Sequence, residues 1–411
     1  MPSCGMGGAP PFSGTTSITR TLDSANSVTG QSSVGFGAPG SGWEQKAANP
    51  YNLQWNIAYQ RELVRNTTLE VAYVGSKGGN LTGNTNINQI PAGDNNRNGI
   101  EDRVEYARTG DVSLRPLNGV AGIGDSNIAL WQHNRSSIYH SLQTQLVSRF
   151  GHGSQLQVSY TFAKALSTEP MNSSDSGISD VITYTANESP ELDRGRALID
   201  RRHVLNGSLV LGLPGFEDKS SFMKNVLGDW QVTSIVSLAS GYPLTIFSGN
   251  VPGLSSNGAA SGTGQVNNQR PNLVAGVDCR ASGGPAEQWL NPAAWTLNGF
   301  QIGSLGNSGR GVCDGPGFFQ ADLALYKNIK LAGRAKLQLR AEVFNVFDKV
   351  NFTTNNGDNI NASYNPANVV FNTATGSTAS SIVSATPVGN FGQITAARDP
   401  RQVQLGIRLS F

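Results

Sequence analysis

Apolar and polar residues alternate with period two along most of the chain, the pattern of β-strands with one apolar face. Leu53, Trp55, Ile57 and Tyr59 share a face, with Gln54, Asn56, Ala58 and Gln60 on the other. After a turn at Val64–Asn66, Leu69, Val71 and Tyr73 repeat it. A second pair follows: Leu142, Thr144, Leu146 and Phe150 lead into Gly151-His152-Gly153-Ser154, and Leu156, Val158, Tyr160 and Phe162 return. Leu205, Leu209, Leu211 and Leu213 pair with Trp230, Val232, Val236 and Leu238. Phe319, Ala321, Leu323 and Leu325 pair with Leu337, Leu339, Ala341 and Val343. Val403, Leu405, Ile407, Leu409 and Phe411 form a last strand, spaced by Gln404, Gly406, Arg408 and Ser410.

The connections alternate as regularly as the residues. Short links at about 64–67, 151–154, 214–229 and 328–334 join the members of each pair. Long links at about 75–137, 164–202, 240–317 and 348–400 separate the pairs. Loops above about 12–15 residues are uncommon in compact soluble domains. A soluble sandwich has no reason to sort loop lengths by side, whereas an outer-membrane barrel has short periplasmic turns and long extracellular loops. The expected fold class is therefore all-β: an antiparallel transmembrane β-barrel portion of about nine C-terminal strands. On this orientation the last strand descends, and so does the first. An odd strand count conflicts with the even number of bacterial single-chain barrels, and an open edge in lipid leaves backbone groups unpaired. The chain thus reads as the C-terminal part of a larger barrel. Residues 1–50 would be the tail of an upstream extracellular loop and 51–411 the barrel part.

Composition agrees. Only 14% of the 411 residues are charged, against roughly 25% in soluble domains. Gly, Asn, Ser, Thr and Gln fill the deficit. A net charge of +2 gives no electrostatic footprint for nucleic acid. No run of 18 apolar residues suggests a membrane helix. Met1–Gly14 has neither a basic nor an apolar signal region, so the reading places the true N-terminus upstream. Cys279 and Cys313 fall in one loop and are candidates for a disulfide, leaving Cys4 over; two unpaired thiols are the alternative.

The stretch GPGFFQADLALYKNIKLAGRAKLQLRAEVFNVFDKVNF (Gly315–Phe352) resembles the penultimate hairpin of TonB-dependent receptors. More narrowly, it is similar to the Oar-like barrels that carry an N-terminal carboxypeptidase-regulatory-like domain. WLNPAAW (Trp289–Trp295), GNSGRG (Gly306–Gly311), LGDWQVTSIVSLASGYPLTI (Leu227–Ile246), DRRHVLNGS (Asp200–Ser208) and FGQITAARDPRQVQLGIRLSF (Phe391–Phe411) support it, in the family's order. The resemblance implies a barrel of roughly 22 strands around a plug, driven by the inner-membrane TonB complex. The plug and the TonB-contacting segment have no counterpart among these residues. It also implies that Phe411 is the terminal aromatic read by the barrel-assembly machinery, with outer-membrane lipid as the surrounding partner. A surface protein whose loops mediate adhesion, with the barrel as anchor, is the alternative function; a secreted glycan-binding β protein is a third.

One local motif has metal-ligand spacing. Asp94 to Glu105 fits D-x-[DN]-x-[DN]-G-x₅-E, a calcium-loop pattern. Asp94, Asn96, Asn98, Asp102 and Glu105 would supply side-chain oxygens and Ile100 a carbonyl. The same Asn, Asp and Gly residues are also ordinary turn formers, and no flanking helices are evident. Asp193-Arg194-Gly195-Arg196 with Asp200-Arg201-Arg202-His203 reads either as an anion-binding patch or as an ion-pair cluster with Glu188, Glu191 and Asp193. Trp230, Tyr242, Tyr160, Phe162, Phe344, Phe347 and Phe352 lie near strand ends, as interfacial girdles or as packing between loops. No G-x-S-x-G, H-E-x-x-H, Walker A or C-x-x-C motif is present, so the chain is not read as an enzyme.

Overall fold

The computed structural model describes residues 41–91, 93–100, 102, 105–106, 111–118, 128–168, 190–216, 226–248, 270–282, 287–300, 306–331, 335–352, 370–372, 381–387 and 389–411. Nine long strands dominate them: β1 (Tyr51–Val64), β2 (Thr67–Asn86), β3 (Ala129–Phe150), β4 (Ser154–Ser167), β5 (His203–Gly212), β6 (Trp230–Ala239), β7 (Phe318–Lys330), β8 (Lys336–Phe344) and β9 (Gln402–Ser410). Each pairs antiparallel with its sequence neighbours, so spatial order is chain order. Left-handed residues turn the tight hairpins. Asn66 sits at φ 62° between β1 and β2, its N–H donating to Glu62 Oε1 at 2.8 Å. His152 at φ 59° and Gly153 at φ 73° turn β3 into β4. Asn and Gly tolerate this region far better than β-branched residues.

Register keeps one apolar face continuous across the sheet. Ile57 stands opposite Tyr73, Tyr73 opposite Leu142, Leu142 opposite Phe162, and Phe162 opposite His203. Farther along, Leu205, Leu238 and Phe319 align, as do Leu323, Val343 and Val403. These side chains are open to the surroundings: Ile57 is 72% exposed, Leu405 78% and Ile407 77%. Such a wall of aliphatic surface in water would cost about 25 cal/mol per Å². In lipid it costs nothing. The other face carries Gln54, Glu70, Gln143, Gln145, Thr161, Asn206, Ser237, Asp322, Glu342 and Gln404, which are polar or charged. Tyr326 donates to Glu342 Oε1 at 3.0 Å, and Arg340 donates to Gln338 at 2.7 Å. Among the described residues β1 and β9 are the two edges of the sheet.

Two expectations are corrected. Alternation suggested strands ending near residues 75 and 137, but β2 and β3 have 20 and 22 residues and stay paired up to Asn86–Ala129. A membrane strand needs only about 9–11, so this hairpin projects well past the apolar band. Beyond the band neither face must be apolar, so the alternation disappears while the backbone ladder continues. A register shift around Leu81 marks the transition. Ser41–Trp43, within the expected loop tail, adds a parallel strand to Ala129–Trp131, and Trp43 stacks on Trp131 at 5.4 Å.

Among the described residues the hydrophobic core cluster lies in the long connections, not among the strands: Leu244, Ile246, Leu290, Ala294, Trp295, Leu297, Phe300 and Cys313 from one, Ile382, Ala385, Phe391 and Ile394 from the next. Read as long uncharged loops, these segments instead fold on each other.

Candidate functional site

The cap at the long-loop end is built from short local devices. Asn291 caps the 3₁₀ turn Pro292–Ala294, its side chain accepting from Ala293 N at 3.1 Å, while its amide donates to Asp278 O at 3.0 Å. That turn delivers Trp295 into the core, 2% exposed, where it meets Phe391 edge-on at 5.7 Å. Backbone pairing joins the two connections. Trp289 N donates to Gly392 O at 2.9 Å, and Ile394 N donates to Glu287 O at 2.7 Å. Gly299 N donates to Ile382 O, and Ile382 N donates to Phe300 O. Cys279 and Cys313 are joined with Cα atoms 6.0 Å apart, closing 34 residues of chain. The bond ties the outer turn of the cap to Cys313, which pairs with Leu244.

An ionic anchor fastens the cap to the barrel. Asp200, 1% exposed in its side chain, accepts from Ala165 N at 2.8 Å and from Arg196 Nε at 2.6 Å. Arg196 also reaches Asp314 of the cap. Burial works against the Arg196 charge, but its hydrogen bonds to Asp314 and Asp200 outweigh that and hold it above its usual range. From the cap side, Arg310 donates to Asp193 O at 3.0 Å and Ser167 O at 3.3 Å. Arg270 faces Asp193 at 3.6 Å; burial pulls its guanidinium below its usual range, with Asp193 opposing. Arg201 lies 3.9 Å over the Tyr242 ring. The basic stretch is thus an ion-pair cluster. Its acids are Asp200, Asp314 and Asp193, and Asp314 comes from more than a hundred residues away.

These features, an apolar outward wall, a polar inner face and a cored cap over one end, coincide with a family match. The sequence matches the model of the outer membrane beta barrel domain over residues 2–404. The chain belongs to this outer-membrane β-barrel family. No curated protein matches it. Among solved structures, the outer membrane transporter YddB from Escherichia coli aligns at 8% identity and a TM-score of 0.39. The alignment covers 90% of this chain and 34% of YddB, so the chain spans about a third of that transporter's length.

As an outer-membrane β-barrel of the bacterial cell, the chain has its short turns in the periplasm and its cap outside. The expected girdle residues divide accordingly. Trp230 stands at the periplasmic end, with Lys327 packed 5.7 Å over its ring and bonded to Gly228 O. Tyr160 and Phe162 lie on the lipid face at the other end against His203, with the Tyr160 hydroxyl 2.8 Å from Nδ1. Phe347 lies tilted against Phe319 at 5.8 Å. Tyr242 and Phe352 pack inside the cap region instead, and Phe344 falls on the polar side opposite Gln402. Phe411 is 97% exposed at the end of β9.

The Asp94–Glu105 loop is only partly convergent. Asn96 and Asn98 both donate to Glu105 Oε2 at 2.7 Å. Asp94 accepts from the N–H groups of Asn98 and Gly99 at 2.9 and 2.8 Å, and Ile100 N donates to Asn98. Asp102, 2% exposed, turns away and receives the backbone and side-chain amides of Asn95 at 3.0 and 2.9 Å. The six expected ligands therefore do not form one shell: Asp102 serves a separate turn. Among the described residues no group of three His, Cys, Asp or Glu is arranged for a metal. Cys4 and Glu188 lie outside the described residues.

Proposed function

We propose that the chain is the C-terminal barrel segment of a TonB-dependent, Oar-like outer-membrane receptor, admitting a substrate through a barrel gated by its extracellular loops. The cap carries this reading. A receptor that admits a solute needs an outer surface of fixed shape, yet one that shifts as a unit. Here two connections share one core, and their attachment to the barrel runs largely through the Arg196–Asp200–Asp314 and Arg310–Asp193 contacts. Polar, charge-bearing anchors of this kind can exchange partners at lower cost than a packed apolar interface. The stretches that carry the family resemblance build this apparatus. Trp289–Trp295 makes the capped turn, Gly306–Gly311 supplies Arg310, and Gly315–Phe352 contains β7 and β8. Phe411 would address the chain to the barrel-assembly machinery, and energy would come from the TonB complex.

The test is uptake by the native bacterium. Deleting the gene and collapsing the proton-motive force should each abolish accumulation of the same labelled nutrient from peptide or carbohydrate digests. If accumulation is unchanged while attachment of the cells to surfaces is lost, adhesion replaces transport.

A further inference from the structure

The polar inner face carries apolar side chains at one place, near the outer end of β6 to β9. Ile235 stands opposite Asp322, and Phe344, one residue beyond the Leu323–Val343 pair, stands opposite Gln402. Ile235 is 57% exposed and Phe344 39%. A single exposed apolar residue needs no explanation. Phe344, however, lies where two recesses meet. The outer one, about 330 Å³, is bounded chiefly by Gln320, Asn345, Asn351, Arg398, Asp399 and Gln402. The inner one, about 300 Å³, includes Thr233, Ile235, Asp322, Tyr326 and Glu342 in its wall. Phe344 lines both.

Side-chain bonds to the backbone hold the outer wall in place. Asn351 accepts from Phe319 N at 2.9 Å and donates to Phe319 O at 2.7 Å. Asn345, left-handed at φ 50°, shapes the turn after β8. Its N–H donates to Asp322 Oδ1 at 2.9 Å, and its side chain bonds both Lys349 N and Lys349 O at 3.0 Å. Arg398 N donates to Asn351 O at 2.8 Å, and its guanidinium lies 4.8 Å from the centre of the Phe318 ring.

What this wall leaves open is hydrogen-bonding capacity. The side chains of Arg398, Asp399 and Gln402 form no hydrogen bond or ion pair among the described residues. Gln320 donates its amide to Asp322 at 3.0 Å, which leaves its oxygen to accept. The charges nearly balance. Arg398 neighbours Asp399 in the chain, and Arg340 lies over the Tyr326 ring, whose hydroxyl donates to Glu342. The carboxylate left over, Asp322, already accepts from both Gln320 and Asn345. A charged ligand therefore gains little here. A ring bearing several hydroxyls finds donors, acceptors and an open phenyl ring together.

We propose that the two recesses about Phe344 form a cleft for a neutral oligosaccharide, with one sugar unit in each recess and the phenyl ring between them. Asp399, Gln402 and the Gln320 oxygen accept from its hydroxyls, and Arg398 donates to them. Each recess alone lies at the lower end of the range for small-ligand sites, about 300–1,000 Å³, so the joined pair suits a chain of sugars better than a single one. The inference rests on the receptor reading and names its class of substrate. The segment carrying Arg398 and Asp399 leaves the cap core at Ile394 and enters β9 at Gln402. A sugar held there touches the stretch of chain that joins cap to barrel.

The experiment measures binding, separately from uptake, by isothermal titration of the full-length protein in phosphatidylethanolamine nanodiscs. The neutral probes are cellohexaose, maltohexaose, xylohexaose and mannohexaose; the charged probes are hexagalacturonate, hexaglucosamine and a zwitterionic tripeptide. At least one neutral probe should bind, and the charged probes should not. Phe344→Leu, which keeps an apolar side chain and so the fold, should weaken that binding about tenfold. Phe344→Tyr and Gln145→Ala, the latter on β3 and away from the cleft, should bind as wild type. The proposal is overturned if no neutral probe binds, if a charged probe binds more tightly, or if folded Phe344→Leu binds as wild type. Binding without energy-dependent uptake would remove the transport reading and leave the cleft standing. Uptake without binding of any neutral probe would do the reverse.

Discussion

At the scale of single residues, meaning depends on which solvent a side chain meets. Ile407 and Gln404 lie on one short strand, both exposed, yet one belongs to lipid and the other to the polar face opposite Glu342. Ile407→Arg should destabilise the folded barrel by about 2–4 kcal/mol, whereas Gln404→Arg, next to Glu342, should be nearly neutral. Urea titration of the barrel refolded in lipid vesicles reads both, and equal effects would mean the facing is wrong. Asp200 is the opposite case: an acid in a loop, buried because two donors need it. Asp200→Ala leaves Ala165 N and one edge of Arg196 unsatisfied and should cost about 2–3 kcal/mol in the local stability of the anchor. Hydrogen exchange at Ala165, whose amide donates to Asp200, and at Ala197, whose amide donates to Ala165 O, would report it. The ion-pair character of this stretch was legible from its alternating signs. Its partner Asp314 was not, because nothing local ties residues so distant in sequence.

Elements differ in how they are held. The barrel strands are fixed by their ladder, the cap by a small core and a covalent tie. A closure of 34 residues is worth about 3–4 kcal/mol by loop entropy. Cys279→Ser with Cys313→Ser should therefore make the connection 270–316 protease-sensitive while leaving the barrel strands paired; limited proteolysis followed by gel electrophoresis checks it. Trypsin resistance equal to wild type would show that the Trp295–Phe391 core and the ionic anchor hold the cap without the disulfide. The Asp94–Glu105 loop answers its carboxylates internally through Asn95, Asn96 and Asn98. Millimolar calcium is accordingly expected to leave its hydrogen-exchange protection unchanged. Calcium-dependent protection that Glu105→Gln abolishes would establish a cation site there. The motif was visible as spacing, but spacing does not say which way Asp102 turns.

For the whole molecule, the governing fact is an inverted distribution of apolar surface. Strand side chains such as Leu405 and Ile57 are turned outward, while the packed core sits in extracellular connections. The barrel should migrate faster unheated than boiled on an SDS gel, because a paired strand ladder resists the detergent and the cap does not set that resistance. The double cysteine variant should keep this shift. If the shift vanished with the disulfide, the cap rather than the ladder would be holding the barrel.

What the sequence by itself determined is the membrane part: strand positions, facing, hairpin pairing and the side on which long connections lie. Period two is a local constraint imposed by a solvent that differs between the two faces, so it is written residue by residue in β1 through β9. Outside the lipid that constraint lapses. The extended upper part of β2 and β3, the core that Trp295 and Phe391 share, and the acids that meet Arg196 and Arg270 depend on contacts between distant segments. Only the tertiary structure decided them, because each arises from register or packing across the sheet, which no run of neighbouring residues encodes.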